Sequence, residues 1–90
     1  MEVSFDPVKR ALTLADRGLD FADAAGVFAG PVFEFEDDRF VYPEQRMITY
    51  GLLDGRLVAV IWTETVAGRR VISMRKANEK EQRRYRNRLA

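Results

Sequence analysis

Residues 54–62 read DGRLVAVIW, a tight turn followed directly by an apolar strand. Asp54-Gly55 is a residue pair typical of a two-residue hairpin turn, because both central positions of that turn need a positive φ. Residues 57–62 are continuously apolar, as in a central strand that is covered on both faces. A hairpin that leads into such a strand predicts an antiparallel sheet.

The segments around this strand predict three further strands. Residues 32–36 alternate around two phenylalanines, and residues 46–51 directly precede the hairpin. Residues 70–75 alternate again after a turn at Ala67-Gly68. We therefore predict a four-stranded antiparallel sheet.

At both ends of the chain, the apolar residues recur with the spacing of a helix. Residues 6–18 begin with Asp-Pro and end with Gly, which fits a capped helix. Residues 20–30 predict a second helix that ends at Gly-Pro. Asn78 and Glu81 fit a capping box for a basic final helix. The result is an α+β fold with two N-terminal helices, the sheet and a C-terminal helix, in one domain over residues 1–90.

Composition excludes several kinds of chemistry. The 90-residue chain has no cysteine and no histidine, which excludes Ser-His and Cys-His catalysis and an ordinary zinc site. The carboxylates between residues 34 and 38 match no calcium-loop spacing, so we predict neither a metal site nor a cofactor.

The start of the chain lacks the basic and apolar pattern of a signal peptide, and no stretch approaches the roughly 18 apolar residues of a membrane span. These features predict a cytoplasmic protein without a membrane partner.

The net charge of +1 hides a strong asymmetry along the chain. Residues 1–45 carry a charge of −6, whereas residues 65–90 carry +7. A C-terminal third this basic predicts a polyanionic partner. A charged surface that only aids solubility is an equally consistent interpretation.

The chemistry left to this chain is that of the guanidinium group. Arginine pairs with phosphate oxygens through two parallel hydrogen bonds, and several arginines around one phosphodiester would stabilise the charge that develops in phosphoryl transfer. RNA brings its own nucleophile, the 2′-hydroxyl. Since arginine is a poor base, Tyr85, Glu81, Lys76 or water would have to move the proton. For Tyr85, packing of the last helix onto the sheet is the alternative role.

Strand geometry constrains which arginines can meet. Side chains alternate between the two faces of a strand, so Arg70 and Arg75 are predicted to face opposite ways. They could share one site only if the strand ends or twists at one of them. Arg75 lies where the last strand passes into the final helix, so it is the residue that could turn.

Several segments resemble the BrnT family of toxins, from Phe5 to Tyr85. They are FDPVK (5–9), GLDF (18–21), AAGVF (24–28), EQR (44–46) and RVISMRKA (70–77). Glu81 and Tyr85 match a Glu-x-x-x-Tyr pattern in the family's final helix. Each match is short, but their order and spacing together are specific.

The resemblance implies a RelE-like fold and an endoribonuclease toxin that needs no metal. It also implies a ribbon-helix-helix antitoxin of the BrnA type, which forms a hetero-oligomer with the toxin and through which alone the toxin reaches operator DNA. By position, the family's active-site residues fall on Arg46, Arg70, Arg75 and Tyr85. The further residues predicted to bind RNA are Lys9, Lys76, Arg83 and Arg84.

The chain also departs from the family pattern. Asp16-Arg17 stands where the family usually has Lys-His, and Phe5 replaces a common tryptophan. A catalytically silent protein that acts with its antitoxin as an operon repressor is therefore an alternative to an active ribonuclease. An unrelated RNA-binding domain is a third hypothesis, but such sheets display stacking aromatics on an exposed strand, whereas Trp62 lies in an apolar run.

Overall fold

The computed structural model describes residues 2–89 and contains a five-stranded mixed sheet of order β1-β5-β4-β3-β2. The strands are β1 (Val3–Ser4), β2 (Val32–Glu36), β3 (Met47–Leu53), β4 (Arg56–Thr65) and β5 (Gly68–Lys76). Strands β2 to β5 pair antiparallel in sequence order, and β1 pairs parallel to β5. The α+β class is confirmed.

The prediction of four antiparallel strands was wrong by one strand, β1. This strand has only two residues, too few to show any periodicity in the sequence. The Arg69 amide donates to the Glu2 carbonyl at 2.9 Å and brings β1 beside β5. Gly68 permits this approach, because its φ is 128° and a Cβ there would overlap the Glu2 carbonyl.

The helices are α1 (Pro7–Arg17), α2 (Ala24–Ala29) and α3 (Glu79–Tyr85), with 3₁₀ turns at Phe21–Asp23 and Arg86–Arg88. The predicted caps of α1 are confirmed: Asp6 accepts from the Val8 amide at 2.8 Å, and Gly18 has a φ of 69°. The second predicted helix begins as a 3₁₀ turn, which Asp20 caps by accepting from the Ala22 amide.

The sheet is covered on both faces. On one face Phe21, Ala24 and Val27 pack against the sheet with Trp62 and Met74; we name it the helical face. On the other, the α3 face, Tyr85 and Leu89 pack against a buried cluster of Ile48, Tyr50, Leu57, Ala59, Ile61 and Ala77. Residues 57–62 of β4 are buried throughout, as the apolar run predicts. No helix in the described part of the chain is long and apolar enough to cross a membrane.

A β-bulge in β5 changes which side chains share a face. Ile61 pairs with Ser73 but Trp62 pairs with Val71, so Ile72 is an extra residue in the ladder. Val71 and Met74, three positions apart, therefore both lie in the core of the helical face.

Candidate active site

A groove of about 300 Å³ opens on the α3 face, and we name it the α3 groove. Helix α3 and the loop after β2 form its walls, and β3 and β5 form its floor. The cationic residues that line it are Arg39, Arg75, Lys80 and Arg84. The aromatic residues that line it are Phe35, Tyr50 and Tyr85. Three of the predicted site residues, Arg75, Arg84 and Tyr85, thus meet in one groove.

Arg75 lies on the floor of the groove and is held by Glu81. Its Nη1 donates to Glu81 Oε1 at 2.7 Å and its Nη2 to Oε2 at 2.8 Å. The two side chains are 29% and 15% exposed, so the pair is largely shielded from water. The structure therefore joins strand β5 to helix α3 through one two-point ion pair.

The Glu81 carboxylate is also bonded to two other groups. Its Oε1 accepts from the Asn78 amide at 3.0 Å, which completes the predicted capping box, and its Oε2 accepts from the Tyr50 hydroxyl. The Arg75 hydrogen bonds lower the pKa of Glu81 to about 2. Burial, and then the bond to Glu81, raises the pKa of Tyr50 above its ordinary value. At neutral pH the cluster is thus a carboxylate, a guanidinium and a protonated phenol.

Tyr85 belongs to a stack of aromatic rings under α3. Its ring centroid lies 4.3 Å from that of Tyr50 and 5.3 Å from that of Phe33, with interplanar angles of 25° and 26°. The Arg84 guanidinium lies 5.7 Å from the Tyr85 ring centroid. The ring therefore anchors α3 on the sheet, the alternative role raised by the sequence, while the residue also lines the groove.

The acidic wall opposite α3 is a loop with its own internal bonds. Asp37 is 4% exposed, and its carboxylate accepts from Arg39 at 2.7 and 2.9 Å, which lowers the Asp37 pKa. The Asp37 amide donates to the Arg46 carbonyl at 2.8 Å and closes the base of the loop. Glu36 and Asp38 flank this anchor and line the groove.

Arg46 and Arg70 lie on the same sheet face as Arg75 but outside the groove. Arg46 donates to Glu44 at 3.2 Å and its guanidinium lies 4.1 Å from the Tyr42 ring centroid. Arg70 is exposed and pairs across the ladder with Thr63. The expectation that Arg70 and Arg75 face opposite ways was wrong, because the bulge at Ile72 restores both to one face.

The remaining residues predicted to bind RNA are dispersed. Lys9 is exposed on α1, outside the residues that line the groove, and Arg83 is exposed on α3 without lining it. Lys76 lines a separate pocket with Arg17 and Asp23. Of the four residues, the structure brings only Arg84 to the α3 groove.

Sequence reasoning did not single out Lys80 or Tyr50 and missed the Arg75–Glu81 pair. Glu81 was recognised as a helix cap and a possible proton carrier, and Tyr50 only as part of a strand. Their meeting depends on how α3 crosses the sheet, which no local spacing records. Within residues 2–89, no three His, Cys, Asp or Glu side chains are grouped so as to hold a metal ion.

Arg69, next to the predicted Arg70, has a structural environment on the helical face. Its guanidinium lies 3.8 Å from the ring centroid of Trp62 and 4.6 Å from that of Phe28, and it pairs with Glu34 at 2.8 Å. Trp62 in turn donates to Thr49, which donates to Glu34. This network ties β2, β3, β4 and β5 together away from the groove.

Comparison with protein families gives a match over most of the chain. A family model described as "Ribonuclease toxin, BrnT, of type II toxin-antitoxin system" matches residues 5–81. The match includes Arg46, Arg70, Arg75 and Glu81 and ends before Tyr85. A comparison with individually curated proteins finds no match.

Proposed function

The chain belongs to the BrnT family of type II toxin-antitoxin ribonuclease toxins, and we propose that it cleaves RNA in the α3 groove without a metal ion. The observation that carries this proposal is the meeting of Arg75, Lys80 and Arg84 in one groove that Tyr85 also lines. Cationic donors that converge on a phosphodiester stabilise the charge that grows on its oxygens during the reaction.

The proposed RNA cleavage needs two proton transfers and the replacement of one bond to phosphorus by another. The 2′-oxygen of the substrate bonds to phosphorus, and the bond from phosphorus to the 5′-oxygen breaks. The 2′-hydroxyl loses a proton and the departing 5′-oxygen gains one, which leaves a 2′,3′-cyclic phosphate and a 5′-hydroxyl. No outside reactant is consumed, so position, charge and proton transfer are the protein's whole contribution.

Among the candidate proton carriers, Tyr85 has the position that suits this role. Lys76 lines a pocket of its own with Arg17 and Asp23, and the Glu81 oxygens already accept four hydrogen bonds. Tyr85 lines the groove beside Arg84. Its hydroxyl protonates the 5′-oxygen, and water takes the proton from the 2′-hydroxyl. Arg46 and Arg70, on the same sheet face, bind the flanking phosphates of the RNA, as do Lys9, Lys76 and Arg83 along a longer strand.

A type II toxin implies an antitoxin partner. In the proposal this partner is a ribbon-helix-helix protein of the BrnA type, and operator DNA is reached only through it. The resulting complex is a cytoplasmic hetero-oligomer, and the toxin has a RelE-like fold. The +7 charge of residues 65–90 supports a partner segment that is acidic or amphipathic.

Two observations favour a second function, that of a silent member of a repressor complex. The Nη1 and Nη2 atoms of Arg75 both donate to Glu81, so this edge of the guanidinium is not free for a phosphate. Asp16-Arg17 also replaces the family's usual Lys-His pair. The two functions differ in whether the chain, expressed without its antitoxin, cleaves RNA.

The test is incubation of the purified, antitoxin-free protein with RNA in EDTA, followed by analysis of the product ends. We expect cleavage that leaves 2′,3′-cyclic phosphate ends. Cleavage only after a divalent ion is added would overturn the metal-free mechanism. An intact substrate under both conditions would favour the silent repressor component.

A further inference from the structure

The Arg75 guanidinium has one edge occupied by Glu81 and donors left free elsewhere, among them Nε–H. Nη1 and Nη2 face the two Glu81 oxygens, and Nη1 also approaches the Lys76 carbonyl at 3.4 Å. Within residues 2–89, the Nε–H group of Arg75 has no hydrogen-bond partner in the structure. A guanidinium has five N–H donors in a rigid plane, so the position of one edge fixes the direction of the others.

The Glu81 carboxylate is itself fixed from three elements. The Asn78 amide bonds it at the start of α3, the Tyr50 hydroxyl bonds it from β3, and Arg75 bonds it from β5. Each oxygen of this carboxylate accepts two hydrogen bonds, so the carboxylate cannot rotate without breaking them. The plane of the Arg75 guanidinium is therefore set by the capping box of α3 and by the sheet together.

We propose that Glu81 is a positioning residue, which holds Arg75 by its terminal nitrogens so that Nε–H is the donor offered to the RNA phosphate in the α3 groove. This proposal rests on the proposed function. Charge also supports the assignment. The Arg75–Glu81 pair is neutral as a unit. The net positive charge that attracts the RNA therefore comes from Arg84 and Lys80, while Arg75 offers a hydrogen-bond donor of fixed orientation.

A charge-matched pair of variants separates positioning from charge. Glu81→Gln removes one negative charge and the two-point pair, but keeps the capping box, since glutamine also caps at this position. Glu79→Gln removes the same charge from the same turn of α3, where Glu79 is exposed and outside the groove. We expect both variants to lower KM, because the surface becomes more positive. Only Glu81→Gln should lower kcat, by up to about 100-fold, because Arg75 loses its alignment.

A purely structural role would give a different result. Glu81→Gln would then lower the melting temperature while kcat per folded molecule stayed equal to that of Glu79→Gln. That outcome would overturn the proposal.

A second measurement is independent of cleavage. The side-chain Nε–H signal of Arg75 is followed by ¹⁵N NMR, and its loss in Arg75→Lys identifies it. The probe is a 2′-O-methyl RNA oligonucleotide, which lacks the nucleophile and cannot be cleaved by this route. We expect the signal to shift on titration in the wild type and not in Glu81→Gln.

An unshifted Arg75 signal in the wild type would overturn the positioning proposal, even if the protein cleaves RNA. A shifted signal in a protein that cleaves no RNA would instead contradict the proposed function and leave the positioning role supported.

Discussion

Glu81 is the residue through which the first turn of α3, strand β3 and strand β5 are joined. Its carboxylate accepts four hydrogen bonds. These bonds persist only while the carboxylate is ionised and α3 stays packed on the sheet. Because the pair with Arg75 is largely shielded, loss of the Glu81 charge leaves a guanidinium without its partner. Stability and site geometry therefore depend on the same carboxylate.

This dependence predicts an acid transition. The pKa of Glu81 is lowered from 4.5 to about 2 by Arg75, so its stabilising contribution is complete above about pH 4.5 and is lost as the pH falls through about 2. Denaturant unfolding between pH 5 and pH 2 should show a smaller loss of stability in Glu81→Gln than in the wild type. Glu79→Gln is the control and should follow the wild type. Parallel curves for wild type and Glu81→Gln would contradict the account.

Tyr85 has an anchoring ring and, in the proposed mechanism, a hydroxyl that donates a proton, and one substitution separates these roles. Tyr85→Phe keeps the ring stack with Tyr50 and Phe33 and should leave the melting temperature close to that of the wild type. Its cleavage rate should fall about 10²- to 10⁴-fold, the usual contribution of general acid catalysis. Tyr42→Phe in the loop is the control and should retain full activity. A fully active Tyr85→Phe would leave Tyr85 only its packing role.

At the scale of the elements, helix α2 packs closely on the sheet at Gly51 of β3. A Cβ there would lie 2.6 Å from Val27 Cγ1 of α2. Gly51→Ala should therefore push α2 away and destabilise the protein by about 1–3 kcal/mol, measured by denaturant unfolding. Gly26→Ala, within α2 itself, is the matched control, because a Cβ there meets nothing within 4 Å. Equal stability of the two variants would contradict this packing.

The long elements could be predicted from the sequence because each carries its own local signal. The capped α1, the Asp54-Gly55 hairpin and the buried run of β4 depend on spacing and turn chemistry within a few residues. Strand β1 and the bulge at Ile72 could not be predicted, since both are set by a partner strand. A two-residue strand has no period, and a bulge inverts every later side chain without any change in composition.

In the candidate site too, the residue types could be predicted from the sequence, whereas their arrangement could not. Arg75, Arg84 and Tyr85 could be named from the sequence, because their residue types suit phosphate and proton chemistry. The family resemblance marks Arg75 and Tyr85. Their grouping in the groove, and the exclusion of Lys76 from it, depend on which face each side chain takes after the bulge. The pairing of Arg75 with Glu81 depends on the path of α3 across the sheet.

At the scale of the whole molecule, the basic C-terminal third is the surface that both an RNA and an antitoxin would use. Residues 65–90 include α3 and carry +7, so a partner with an acidic or amphipathic segment should cover the groove. Co-expression with the neighbouring antitoxin gene should give one stable complex, larger than one copy of each chain, on size-exclusion chromatography. The same co-expression should relieve the growth arrest caused by the toxin alone. Two separate peaks at micromolar concentration would count against this partner.

The central claim, that the α3 groove cleaves RNA, is tested most directly by the cleavage rate of Arg75→Ala in EDTA. The loss of Arg75 leaves Glu81 without two donors and should cost about 1–3 kcal/mol of stability, so the rate is expressed per folded molecule. We predict a fall of roughly 10²- to 10³-fold, the cost of one lost donor to the transition state. Arg56→Ala, beside the hairpin turn, should cleave like the wild type and differ by no more than about 0.5 kcal/mol in stability. An unchanged rate in Arg75→Ala would contradict the claim.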